Sequence, residues 1–275
     1  MRQEKTEDIE VALLLDAIYE RYGHDFRNYS RVSVKRRLRN ILSKTKYTTI
    51  SEMISPVLHD ESFFETLIYE LSITVTEMFR DPEFFKTLRE QVIPYLKTHP
   101  FIRIWHAGCA TGEEVYSLAI LLKEEGYYDR TTIFATDFND VALNKAREGI
   151  YPLEKLKDYT ANYQHSGGTG SLVQYYHAGY DAAILDPSLR KNIAFANHNL
   201  VTDGVFSEVH LIVCRNVLIY FDKTLQNRVL RLFRDSLVHG GILALGSKEA
   251  LQFSEIVNDF KTLSERWKIF QKTSQ

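Results

Sequence analysis

The chain has 275 residues, 44% hydrophobic and 25% charged, which fits an ordinary folded protein rather than a disordered one. Its net charge of -2 supplies no global attraction to nucleic acid or anionic membrane, so any such contact needs a local patch. Cys109 and Cys214 form no C-x-x-C pair, the start is polar and no apolar run nears a membrane span, so the expectation is a cytoplasmic protein with no metal, no disulfide framework and no membrane insertion.

Residues 1–72 read as a small N-terminal helical domain. Ile9, Leu13 and Ala17 recur at helical spacing among charges, and Gly23 ends that helix. A second helix is predicted from near Ser30. Its apolar stripe is Val34, Leu38, Ile41 and Leu42, and Arg31, Lys35, Arg36, Arg37 and Arg39 fill the rest of its surface. Thr49 and Ser51 open a third segment, and Phe63 to Leu71 form a fourth.

From 73 to 275 the pattern changes. Short apolar runs at Arg103–Ala107, Thr132–Ala135, Ile193–Ala196, His210–Cys214 and Ile242–Leu245 read as strands. Helical patterns lie between most of them, at Glu113–Glu125, Asp140–Glu148 and Lys223–Leu237. This alternation predicts an α/β domain with a mostly parallel, Rossmann-like sheet covered on both faces. Gly240-Gly241 marks a turn into the fifth strand, and Phe260–Leu263 with Trp267–Lys272 reads as a terminal hairpin. Residues 156–190 break the alternation. They read either as an ordered insertion over the active-site face or as a mobile glycine loop with a short helix.

The stretch from Ile102 to Ser117, IRIWHAGCATGEEVYS, runs from strand through glycine turn into helix. Gly108 and Gly112 let the backbone turn with positive φ and let a ligand approach closely. A helix N-terminus attracts phosphate, but Glu113 and Glu114 at its mouth would repel one. They suit a cationic ligand with a ribose and an adenine but no phosphate, and S-adenosylmethionine is such a ligand. Asp137, at the tip of the second strand, is placed to take both ribose hydroxyls. The simpler alternative is that both glutamates only complement the helix dipole. At the third strand's tip, Phe195 to Leu200, an Asn or a backbone N–H can read an adenine edge, while His198 reads as structural. The fourth strand leads into CRNVLIYFD, and no Asn/Asp-Pro-Pro-Tyr stretch occurs, which argues against methylation of a base amino group.

The motifs TEMFRDP, AGCATGEEVYS, ATDF, FANHNL and CRNVLIYFD, with YGHDFRNY and KRRLR ahead of them, resemble the CheR-type glutamate O-methyltransferases in order and over nearly the whole chain. The resemblance implies a class I S-adenosylmethionine methyltransferase sheet with its helical domain. The cofactor contacts it implies are Thr74, Thr76, Arg80, Glu114, Asp137, Asn199, Leu200, Arg215 and Asn216, beside the Gly108 turn. It also leaves Glu113 with the helix-end role. The family often carries Asn where Thr74 stands, Phe where Met78 stands and Pro where Val115 stands. In some members the region of the insertion is a small β-subdomain that docks a receptor's C-terminal pentapeptide; the segment here is longer and shares little with it, so that role is not carried over.

The nucleophile implied is a substrate glutamate, ionised at neutral pH because its pKa is near 4.3, so no general base is required. Arg80 is the candidate to hold that carboxylate, or to contact the cofactor, and Tyr220 the candidate to donate a hydrogen bond to it. Arg31, Lys35, Arg36, Arg37 and Arg39 then become a docking face for the acidic methylation helices of a chemoreceptor-like protein. From charge alone they equally read as a solvated face or a nucleic-acid patch. The competing functions are a non-catalytic cofactor-binding scaffold and a methyltransferase acting on another substrate.

Overall fold

The computed structural model describes residues 2–72, 76–205 and 207–273. The chain divides into two compact units. One comprises the N-terminal segment together with Leu218–Arg228, the other the rest. No helix among the described residues is long and apolar enough to cross a membrane.

The first unit is helical: α1 (Arg2–Tyr22), α2 (Arg31–Ser43), α3 (Ile54–His59) and α4 (Glu61–Leu71). Gly23 stops α1 with φ +77°, as its position suggested. The buried face of α1 is not the expected one. Ile9 and Leu13 are 61% and 52% exposed, while Val11, Leu14, Leu15 and Ile18 are fully buried. Both rows have helical spacing, but the second is the continuous apolar one and wins the core. α2 buries Val34, Leu38 and Ile41 as predicted. α4 starts two residues earlier than Phe63, because Asp60 caps it by accepting the N–H groups of Ser62 and Phe63. Leu218–Arg228 joins this unit through Ser30 N–H donating to Tyr220 O (2.7 Å), Asp222 N–H donating to Asn28 O (2.9 Å) and the Tyr29 and Phe221 rings at 4.9 Å.

The second unit begins with α5 (Pro82–Thr87), a π turn and α6 (Ile93–Leu96), none of which the periodicity marked. Then follow β1 (Ile102–Ala107), α7 (Glu113–Glu124), β2 (Thr131–Asp137), α8 (Asp140–Glu148), β3 (Ile150–Pro152), α9 (Leu156–His165), β4 (Tyr176–Gly179), β5 (Ala182–Leu185) and β6 (Ile193–Asn197). β7 (Val209–Cys214), α10 (Lys223–Ser236), β8 (Leu237–Leu245), β9 (Phe260–Ser264) and β10 (Ile269–Lys272) complete the chain. The sheet order is β6-β2-β1-β7-β8-β10-β9. β6, β2, β1, β7 and β8 run parallel, and β10 lies antiparallel between β8 and β9. The order reverses at β1, which opens a ligand crevice beyond the strand C-termini.

One expectation is corrected here, and one open alternative is decided. Gly240-Gly241 does not precede the fifth strand but lies inside it. α10 ends at Ser236, and the pairing jumps from Val209–Leu237 to Leu211–Ile242, so the glycines form a bulge, with Gly240 at φ +73°. Residues 156–190 are ordered rather than a mobile loop. β3, β5 and β4 form a three-stranded antiparallel sheet whose Tyr151, Ala183 and Leu185, with Tyr159, Tyr163 and Leu172, enter the main core. The glycine run is packed as well: a Cβ on Gly168 would sit 2.3 Å from the Tyr163 ring.

Candidate cofactor and methyl-transfer site

The turn after β1 is built by its neighbours. The N–H groups of Gly108 and Cys109 both donate to Thr136 O. Gly108 (φ +72°) and Gly112 (φ +90°) adopt the left-handed backbone expected of them. The close approach they permit is to protein: a Cβ on Gly108 would lie 2.6 Å from Val217, and one on Gly112 2.8 Å from Ala146. Phe79, Asp81, Ala110 and Asn216 also have positive φ without being glycine. Ala110 and Asn216 lie on the connections after β1 and β7, and Phe79 and Asp81 on the segment leading into α5. Such backbone costs on the order of 1–3 kcal/mol per residue and clusters at functional sites.

Asp137 closes this turn. Its carboxylate accepts the N–H groups of Ala110 (2.9 Å) and Asn139 (3.0 Å). Burial pushes its pKa up, and those same hydrogen bonds oppose the rise. His198 N–H donates to the Asp137 carbonyl, and its ring packs edge-on against Trp105, the structural part expected of it.

Glu113 and Glu114 are both buried at the start of α7. Glu113 accepts the Thr111 hydroxyl at 2.6 Å, and burial raises its pKa to about 7. Ser117 ties the same turn to the 78–81 segment, donating to Glu113 O while accepting Phe79 N–H. Glu114 has different company. Arg215 Nη1 donates to Oε2 at 2.7 Å and to the Arg80 carbonyl at 3.2 Å, and Nη2 pairs with Asp81. The Arg215 guanidinium also lies 4.0 Å from the centre of the Phe84 ring. Burial pushes the Glu114 carboxyl up, but Arg215, with His106 and Arg80 behind it, holds it below the usual range.

The structure thus brings Arg80, Glu114, Asp137 and Arg215 together around the N-terminus of α7. Asn216 is fixed beside them, because Glu249 accepts its N–H and those of Val217 and Gly246. Asn199 makes a tight turn at the β6 tip, accepting Val201 N–H on its side chain while its own N–H donates to Asp203, and Leu200 is buried. Thr76 lies on the segment leading to Phe79, and Thr74 falls outside the described residues. Tyr220 belongs to the helical unit, where the Arg37 guanidinium lies 5.1 Å from its ring centre.

The expected basic face of α2 is narrower than the sequence suggested. Lys35 pairs with Asp8 (2.7 Å) and Glu7, Arg39 pairs with Glu7 through two hydrogen bonds, and Arg37 is half-buried with a donor on Leu71 O. Arg31 and Arg36 are the members left exposed without an ion pair among the described residues. Sequence reasoning missed His106, Asp81 and Glu249. Asp81 and Glu249 bear on the site through residues distant in the chain, and no local spacing signals them.

Glu114 Oε1 and Arg215 Nε are buried with no hydrogen-bond partner among the described residues. A buried carboxylate oxygen without a partner fits a ligand that carries cationic and hydroxyl groups. The comparisons agree. Residues 9–72 match the CheR methyltransferase all-alpha domain, and residues 74–269 match the CheR methyltransferase SAM binding domain. The Cher3 protein of Pseudomonas putida is 50% identical over 273 residues, covering 99% of this chain and 100% of that one. A chemotaxis protein methyltransferase of Listeria monocytogenes is 32% identical over 83% of this chain and 85% of its own. One of Salmonella typhimurium is 30% identical over 92% and 87%. The chain belongs to the CheR methyltransferase family and is an S-adenosylmethionine-dependent methyltransferase.

Proposed function

We propose that this methyltransferase esterifies glutamate side chains of a chemoreceptor-like signalling protein. The observation that carries the reading is the buried Glu114–Arg215 pair, with its spare carboxylate oxygen, beside Asp137 at the sheet's switch point. The names of the Listeria and Salmonella relatives supply the chemotaxis setting.

S-adenosylmethionine supplies an activated methyl group when bound. Asp137 takes the ribose hydroxyls, Glu114 the cationic end, and Asn199, Leu200 and Asn216 the remaining faces, with Thr74 and Thr76 as further contacts. A glutamate carboxylate is already ionised, so no side chain has to remove a proton. The protein's main task is then orientation, which supplies on the order of 7–11 kcal/mol when the reacting groups are well placed. Arg80 holds the incoming carboxylate. Acidic receptor helices are attracted by Arg31 and Arg36 on α2.

The test is label transfer from methyl-labelled S-adenosylmethionine to a receptor cytoplasmic domain, followed by base treatment. The expected product releases volatile methanol, and Arg80→Ala lowers its yield. Base-stable label means a different nucleophile, and no label on any receptor means a different substrate or a non-catalytic scaffold.

A further inference from the structure

Arg80 sits in the segment 78–81, and each residue of that segment is held by a different part of the second unit. Asn162 Nδ2, on α9, donates to Met78 O at 3.1 Å. Phe79 N–H donates to Ser117 on α7 at 2.8 Å, and Arg215, just beyond β7, donates to Arg80 O at 3.2 Å. Asp81 O accepts Phe84 N–H from the first turn of α5 at 2.8 Å. The Phe79 ring is fully buried, edge-on to Tyr163 of α9 at 5.3 Å and to Phe85 at 5.2 Å. Phe79 and Asp81, on either side of Arg80, both have positive φ. α9 is itself anchored: Tyr163 donates to Glu124, the last residue of α7, and Arg89 pairs with the same carboxylate at 2.7 Å.

Ser117 and Arg215 belong to the cofactor site already described. Asn162 does not: it lies in the insertion of residues 156–190, half-buried on α9. Backbone at positive φ persists only where its surroundings over-determine it, so losing one of these holds lets the segment relax. A displaced Arg80 misses the carboxylate it holds, and misplacement by about 1 Å costs on the order of 10²-fold in rate. We infer that Asn162 is a positioning residue for methyl transfer. By holding Met78 O from the insertion it fixes the backbone of 78–81 and so aims Arg80. The insertion is then part of the transfer apparatus and not an attachment beside it. The inference rests on the role given to Arg80 under the proposed function.

A double-mutant cycle on the full chain tests it. Label transfer to the receptor cytoplasmic domain gives kcat/KM, and calorimetry gives the Kd for S-adenosylhomocysteine. Asn162→Ala lowers kcat/KM roughly five- to tenfold, the effect of one neutral hydrogen bond. In the Arg80→Ala background the same change lowers it by less than about twofold, because the group it positions is gone. The Kd for S-adenosylhomocysteine stays within about twofold of the parent value, since the loss falls on transfer and not on cofactor binding. Asn162→Asp has the same shape but no donor, and it loses at least as much as Asn162→Ala. A merely structural role gives another pattern: the same loss with and without Arg80, and cofactor binding that falls in step. Either of those results overturns the inference, as does parent-like transfer by Asn162→Ala or Asn162→Asp. If Asn162→Ala does not fold, Asn162→Asp takes its place in the cycle. A parent protein that labels no receptor domain overturns the receptor reading and the inference with it. A parent that transfers label while the cycle is additive overturns the inference alone.

Discussion

Glu113 and Glu114 occupy consecutive positions at the start of α7, yet their carboxyls are held in opposite directions. Arg215 keeps Glu114 ionised. Against its burial Glu113 has the Thr111 hydroxyl, the backbone and the charge of Lys145, and its pKa still rises from 4.5 to about 7. The unfolded chain gives up this proton first, so between pH 4.5 and 7 the folded state binds more protons and stability falls as pH rises. At one pKa unit per 1.36 kcal/mol the loss approaches about 3 kcal/mol above pH 7. Glu113→Gln keeps the acceptor for Thr111 and removes the titration. Urea melts of the ligand-free protein should show the variant gaining stability over the parent as pH goes from 5 to 8. A difference that stays constant with pH contradicts this.

At the scale of elements, α2 shows how far a charge pattern can be read. Its apolar stripe is where the periodicity put it, because burial selects Val34, Leu38 and Ile41 by spacing alone. Its charges are another matter. Whether a lysine or arginine is free depends on Glu7, Asp8 and Leu71, which lie elsewhere in the chain. Docking by α2 therefore rests on Arg31 and Arg36. Reversing both to Glu should raise the apparent KM for an acidic receptor several-fold and flatten its salt dependence, with the Kd for S-adenosylhomocysteine unchanged. An equal loss of cofactor binding would place the effect elsewhere. The same limit runs through the rest of the chain. The parallel strands and the glycine turn at 108–112 were legible, since each is signalled within a dozen residues. The three- and four-residue strands β3, β4 and β5 are too short to show a period. The Gly240-Gly241 bulge reads locally as a turn, and only the neighbouring strands β7 and β10 keep it in the sheet. At the site, residue types suggested which carboxylates meet a cofactor, but not the buried His106 or the Glu249 clamp, which are visible only as contacts.

At the scale of the whole molecule, the helical unit draws on two stretches of chain. Phe221 and Leu225 are 5% and 2% exposed, and Leu218–Arg228 carries backbone hydrogen bonds to residues 28–30. Phe221→Ala should cost about 3–5 kcal/mol, as removal of a large buried ring does. Hydrogen exchange of the full chain locates the loss. Amides of α1, α2, α4 and residues 218–228 should lose protection together, with β1, β2 and β6 unaffected. Loss confined to residues 218–228 would show that this segment is an ornament of the unit rather than part of it.

This two-part construction also bears on how the protein is made. A ribosome delivers residues at about 5–20 per second, so the segment 218–228 emerges roughly 7–30 s after residue 73. During translation the N-terminal helices are the first synthesised and among the last completed. In the meantime, the apolar surface of Tyr29 that later meets Phe221 stays open on the nascent chain, where a chaperone can find it.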